Sequence, residues 1–141
     1  MFLDASVVAA VLLQEEDGPA FLKAMEAARG SLRYSPIVRL EATLALVRKR
    51  VERRGKGPAT AEDFAAATDL VDELLKALEA KEMHITGSMG AEAIRALSLY
   101  GKMVGHPAQL NMGDALSYAC AKAYHVPLLY KGDDFSKTDL A

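Results

Sequence analysis

The chain has 141 residues, 51% of them hydrophobic, and a net charge of −2. That length can bury a proper core without staples, and the composition excludes a disordered chain. The near-neutral balance makes any basic surface local, and a single cysteine, Cys120, excludes an internal disulfide and fits a reducing cytoplasm.

MFLD reads as a very short buried strand that leads directly into a helix from about Ser6 to Gln14. No basic segment precedes the apolar run and Asp4 interrupts it, so it is not a signal peptide. No stretch approaches the ~20 apolar residues that span a bilayer. The expectation is a soluble cytoplasmic protein of one domain, residues 1–141, with no membrane contact. Asp17 reads as the N-cap of a second helix, with Pro19 in its first turn and Gly30 at its end. LRYS is either a strand or an extended lead-in. Ser35 as N-cap and Pro36 at the first helical position launch a long helix, PIVRLEATLALVRKRVERR, which GKGP breaks. The next helix runs from about Ala61 to Glu79, with Phe64, Leu70, Val71, Leu74, Leu75 and Leu78 on its apolar side. MHIT reads as a strand and Ser88 to Val104 as a helix, with Ser88 capping it at GSMG. After GHP, a helix spans about Asn111 to Tyr124. VPLLY is an apolar run of strand length that ends at KGDDF.

Short apolar strands alternating with helices predict a parallel sheet covered by helices on both faces. In such sheets ligands gather beyond the carboxyl ends of the strands. Asp4 ends the first strand, and Asp133 and Asp134 follow the last.

Most of the 19 acidic residues are solvated helix charges with a basic partner one turn away, as Glu92 has Arg95. Glu41 has Ile37, Val38, Leu44 and Ala45 around it instead, and points along an apolar stripe. Asp114 shares its helical face with Leu110, Asn111, Ser117 and Tyr118, none of them cationic. Taken singly, each acid has an ordinary explanation as a cap, a turn residue or a snorkelling side chain. Taken together, Asp4, Glu41, Asp114 and one of Asp133 or Asp134 are carboxylates that would repel one another. A divalent cation reverses that penalty, and oxygen-only ligands select Mg²⁺ or Mn²⁺.

Other chemistries lack their motifs: there is no GxxxxGK[ST], HExxH, GxSxG or paired CxxC. His84 and His125 fall near strand starts, at the rim opposite the acids, and His106 is a loop residue. The cluster RKRVERRGK, Arg48 to Lys56, complements a helix C-terminus and solvates its face. Phosphate binding by Arg48, Lys49, Arg50, Arg53 or Arg54 is the sharper alternative.

Three segments carry a family resemblance. FLDASVVAAVLLQEED, Glu41 within SPIVRLEATLAL, and HPAQLNMGDALSYACAKAYHVPLLYKGDDFSKTDL resemble a PIN-domain protein of the VapC type, the toxin ribonucleases of bacterial toxin–antitoxin pairs. The resemblance implies a compact α/β/α sandwich with a parallel sheet and an acidic pocket at its strand ends. It places the family's acids on Asp4, Glu41, Asp114 and Asp134, with Asp133 in reserve, and its supporting polar positions on Ser6 and Asn111. It implies Mg²⁺- or Mn²⁺-dependent hydrolysis of RNA, with Asp4 and Asp114 as the main ligands. It also implies an antitoxin whose C-terminal segment blocks the pocket, often with an Arg, and a homodimer. Apolar surface on the first two helices is expected to serve these contacts. Two other readings stand beside it: a catalytically silent interaction module on the same fold, and an Mg²⁺-dependent phosphoacceptor domain using Lys131.

Overall fold

The computed structural model describes residues 1–55 and 57–140; Lys56, in the GKGP breaker and the basic cluster, and Ala141 lie outside the described residues. Phe2–Leu3 form β1, and Asp4 then caps α1, Ala5–Leu12. α2 spans Gly18–Ala27, β2 Arg33–Tyr34 and α3 Pro36–Arg54. α4 covers Ala61–Ala77, β3 Lys81–Glu82 and α5 Gly87–Tyr100. α6, Met112–Tyr124, leads into β4, Leu128–Leu129. Single 3₁₀ turns follow α5 (Lys102–Val104) and β4 (Phe135–Lys137).

All strand pairings are parallel, in the order β3-β2-β1-β4. Phe2 and Leu3 are fully buried, as expected of a central strand flanked on both sides. The chain adds β2 and β3 on one side of β1, then returns to place β4 on the other. The order therefore reverses between β1 and β4, the switch point beyond whose carboxyl ends sheets of this kind form their crevice. α1 to α4 pack as one group and α5 with α6 as another, with α6 against β1 and β4. The main core gathers Phe2, Val7, Val8, Met25, Val38, Leu46, Val71 and Leu75; a smaller one joins Leu110, Tyr118 and Phe135.

Several elements differ from the sequence expectation. α2 stops at Ala27, and Gly30, at φ 81°, belongs to the turn before β2. LRYS supplies a strand. The third strand is Lys81–Glu82 rather than MHIT, because partner backbone sets this exposed edge: Lys81 N–H donates to the Leu32 carbonyl and Met83 N–H to that of Tyr34. Thr86, not Ser88, caps α5; its hydroxyl accepts from Met89 N–H, while Ser88 Oγ lies 3.0 Å from Thr86 Oγ. α5 ends at Tyr100 instead of running to Val104. A Cβ at Gly101 would strike the Leu97 carbonyl, so this glycine lets the backbone turn out against the helix. On α4, Val71, Leu75 and Leu78 are buried, but Phe64 and Leu70 are 42% and 45% exposed. The inward stripe begins instead with Asp63 and Ala67.

Asp63 is only 1% exposed and answers to two cations. Arg54 donates to its two oxygens at 2.8 and 2.9 Å and Arg50 at 3.2 Å, while Thr60 closes a capping box with it. These bonds hold its carboxyl far below the usual carboxylate range. Arg39 and Asp72 form a second, two-pronged bridge at 2.7 and 2.8 Å. α3 and α4 are thus cross-linked by charge on the side away from the acid crevice.

Candidate active site

Asp4 follows β1 and is 6% exposed. Its backbone N–H donates to the Leu129 carbonyl at 3.0 Å, which fixes it against the end of β4. One carboxylate oxygen accepts from Ser6 N–H at 3.0 Å and Ser6 Oγ at 2.6 Å; the other accepts from Ser117 Oγ at 2.7 Å. Helix capping and a buried hydroxyl on α6 thereby offset the cost of burying this charge. Ser6 accepts in turn from Lys131 N–H at 3.1 Å, tying the KGDDF turn to the first helix.

Asp114 is the third residue of α6. Its carboxylate accepts from Asn111 N–H at 3.0 Å, and Asn111 Oδ1 accepts from Asp114 N–H at 3.0 Å, a reciprocal capping box. Burial, together with the charges of Asp4 and Asp134, pushes Asp114 up to about 6, against the pull of the Asn111 bond. Glu41, half-buried on α3, is also pushed up, first by burial and then by Asp4 and Asp114; the Arg48 charge works the other way. Ile37 and Leu44 lie half-exposed beside it, so Glu41 stands at the edge of the core and opens on the crevice. Gly113 explains how it reaches there: a Cβ at residue 113 would fall on the Glu41 carboxylate.

Asp4, Glu41, Asp114 and Asp134 thus share one electrostatic neighbourhood. Asp133 and Asp134 are both exposed on the turn after β4, and Asp134 is the one whose charge reaches Asp114. Phe135, buried against Tyr130 with ring centroids 4.9 Å apart, anchors that turn. Among the described residues, none of these four acids forms a direct ion pair. Nor, among the described residues, do three acids already converge as a ready-made metal cage. The donors are all oxygens, and the burial and mutual repulsion that raise Asp114 and Glu41 are what a hard divalent cation offsets; the residues fit such an ion.

The histidines stay out of this region. His125 caps the far end of α6, about 16 Å of helix from Asp114, and the His84 carbonyl faces Tyr124 there. His106 accepts from Ala108 N–H in its own loop. Lys131 Nζ is held by Glu15 at 3.3 Å and Asp17 at 3.1 Å, which removes the cation that a phosphoacceptor site would use. Sequence reasoning missed two contributors. Ser117 had been readable only as a neighbour of Asp114, and nothing local links it to an aspartate 113 positions earlier. Gly113 carried no signal beyond being a glycine inside a helix start.

The fold is that of a parallel α/β protein whose acids gather beyond the switch point of its sheet. The PIN domain family model matches residues 1–140. A VapC ribonuclease of Rhizobium meliloti is 44% identical over 99% of this chain and 98% of its own length. Ribonuclease VapC42 of Mycobacterium tuberculosis is 31% identical over 99% of this chain and 96% of its own. The crystal structure of VapC20 of Mycobacterium tuberculosis, a sarcin–ricin-loop-cleaving toxin, superposes with a TM-score of 0.68 at 15% identity, covering 96% of this chain and 92% of that one. The chain belongs to the PIN-domain family and, within it, to the VapC ribonucleases, toxins of toxin–antitoxin pairs.

Proposed function

We propose that residues 1–141 work as one nuclease domain that cuts RNA internally with the help of Mg²⁺ or Mn²⁺, and that Asp4, Glu41, Asp114 and Asp134 form its active site. The observation that carries this reading is the convergence of Asp4, Glu41, Asp114 and Asp134: burial first, and then the charges of neighbouring acids of this set, raise Glu41 and Asp114, and no direct ion pair among the described residues relieves them. Asp4 and Asp114 would hold the ion, with Glu41 and Asp134 completing the pocket and Asp133 in reserve. When bound, the ion supplies Lewis acidity and positive charge against the negative charge that develops on the phosphodiester.

The chain's own residues supply the preorganisation. Ser6 and Ser117 fix both oxygens of Asp4, and Asn111 fixes Asp114. Their carboxylates therefore need little reordering when substrate arrives. Glu41 is limited instead by the close approach of Gly113.

The partner is an antitoxin whose C-terminal segment covers the pocket, where an Arg side chain would offset the same acids as the ion does. The first two helices, where apolar surface for these contacts is expected, carry none of the large exposed apolar side chains among the described residues. α1 lies under α2, α3 and α4, while Phe21 and Leu22 of α2 pack against the core. Among the described residues, large exposed apolar side chains stand on α3, α4, α5, the 3₁₀ turn after it and the start of α6 instead. They include Leu40 and Met112, sequence neighbours of Glu41 and Asp114, and Met103. A groove of about 540 Å³ lined by Leu97, Met103, Val104, Leu110 and Met112 supports a partner or second-copy contact on this side. Among the described residues no helix is long and apolar enough to cross a membrane; a cytoplasmic setting is part of the proposal.

The test is cleavage of total cellular RNA by purified protein freed of any co-purifying partner. Wild type and Asp114→Asn are compared in Mg²⁺, Mn²⁺ and EDTA. Discrete products made by wild type alone, and only with metal, are expected; identical traces from both proteins would overturn the assignment.

A further inference from the structure

RNA is a polyanion, and the pocket offers it four carboxylates on a chain of net charge −2. Apart from any ion the acids hold, a protein cation beside the pocket would favour the approach of the strand. Lys131 is committed to Glu15 and Asp17. The basic cluster of α3 divides into two faces. Arg50 and Arg54 hold Asp63, Lys49 lies 3.7 Å from Glu52, and Arg53 lines a cleft with Leu12, Leu46 and Leu70 on the α1–α4 side.

Arg48 is different. It stands seven residues after Glu41, two helical turns or about 10 Å along the same face of α3. It is exposed, and among the described residues its guanidinium enters no ion pair. Seven residues bring the helix back to within about 20° of the same direction, which places Arg48 on the face of α3 that carries Glu41 to the crevice. A guanidinium at that distance matches the next phosphates of a strand whose scissile phosphate lies at the acids, and its planar fork suits phosphate oxygens. Resting on the nuclease reading above, we infer that Arg48 is an RNA-binding residue that takes a backbone phosphate flanking the one cleaved. It anchors the strand without touching the reacting atoms.

Binding can be separated from cutting. A fluorescein-labelled single-stranded RNA of mixed sequence is titrated by anisotropy with Asp114→Asn protein, in EDTA, at several NaCl concentrations. Adding Arg48→Ala is expected to flatten the slope of log affinity against log salt by about 0.7, a loss of about fivefold at 0.1 M that shrinks towards 1 M. Arg48→Lys, which keeps the charge, restores most of the slope, and Arg53→Ala leaves it unchanged. An unaltered slope in Arg48→Ala, an equal effect from Arg53→Ala, or no binding by any variant overturns the inference. The nuclease reading is judged apart, by wild-type cleavage of total RNA. If cleavage is absent while Arg48-dependent binding persists, that reading fails and the phosphate contact stands.

Discussion

Glu41 and Gly113 occupy one small volume: the carboxylate lies where any side chain at residue 113 would begin. Gly113→Ala therefore pushes a flexible carboxylate aside rather than prying backbone apart. We expect a melting temperature close to wild type but, if Glu41 belongs to the proposed active site, a loss of RNA cleavage of roughly a hundredfold, the scale of a misplaced reacting group. Thermal melting and initial rates on one preparation check this. Asp114 gives a pH prediction with a definite sign. Its carboxyl rises from an ordinary 3.8 to about 6 in the fold, so ionisation is harder folded than unfolded. That cost is absent below pH 3.8, grows between 3.8 and about 6, and is fully present above. In EDTA, Asp114→Asn should melt higher than wild type at pH 8, the gap closing by about pH 4. Wild-type cleavage should fall as pH drops through 6, because Asp114 takes up a proton there and loses its attraction for a cation; Glu41, also raised, works in the same direction. A melting-temperature series and a pH–rate profile test the two halves separately.

At the scale of elements, α3 carries two functions on two faces. One face presents Glu41 to the crevice; the other is bound to α4 through Arg50, Arg54 and Asp63 and through Arg39 and Asp72. Removing Asp63 leaves two arginines without their shared partner and opens the α4 capping box. Asp63→Ala should lower the melting temperature by several degrees at pH 7. Because the native Asp63 carboxyl is held well below the usual range, its stabilisation is present above the unfolded value and is lost only as pH falls through the depressed one. A melting series from pH 7 to pH 2 should show the wild-type advantage persisting until strong acid. This pair also explains why α4 was misread. Its hydrophobic spacing pointed to Phe64 and Leu70, but tertiary charge pairing turned Asp63 inward and left those two exposed. The edge strand β3 was misplaced for a related reason, since two polar residues become a strand only through the backbone of β2.

At the scale of the molecule, the reversal of strand order between β1 and β4 gathers the site. Asp4 follows one of those strands and the KGDDF turn the other, while α3 and α6 each begin at the same rim with Glu41 and Asp114. If these acids hold a divalent ion, that ion binds the folded state and not the unfolded one. It should raise the melting temperature with the logarithm of its concentration. Mn²⁺ is expected to stabilise wild type, EDTA to reverse the effect, and Asp114→Asn to show little of it. Calorimetric titration of the two proteins measures the same difference directly.

The sequence by itself determined the class of fold and the helix starts at Ser35 and Asn111, and it singled out the acids that the fold brings near one another, because caps, breakers and partnerless carboxylates are local signals. The ordered motifs around Asp4, Glu41, Asp114 and KGDDF also carried the family. Only the tertiary structure decided which groups restrain those acids. Ser117 reaches Asp4 across 113 residues, Gly113 makes room for Glu41 from another helix, and Asp134 rather than Asp133 bears on Asp114. It also separated Arg48 from the rest of its basic cluster. The physical reason is common to all of them: charge and hydrogen bonding act through space, and which partners come within reach is fixed by packing of the sheet and its helices.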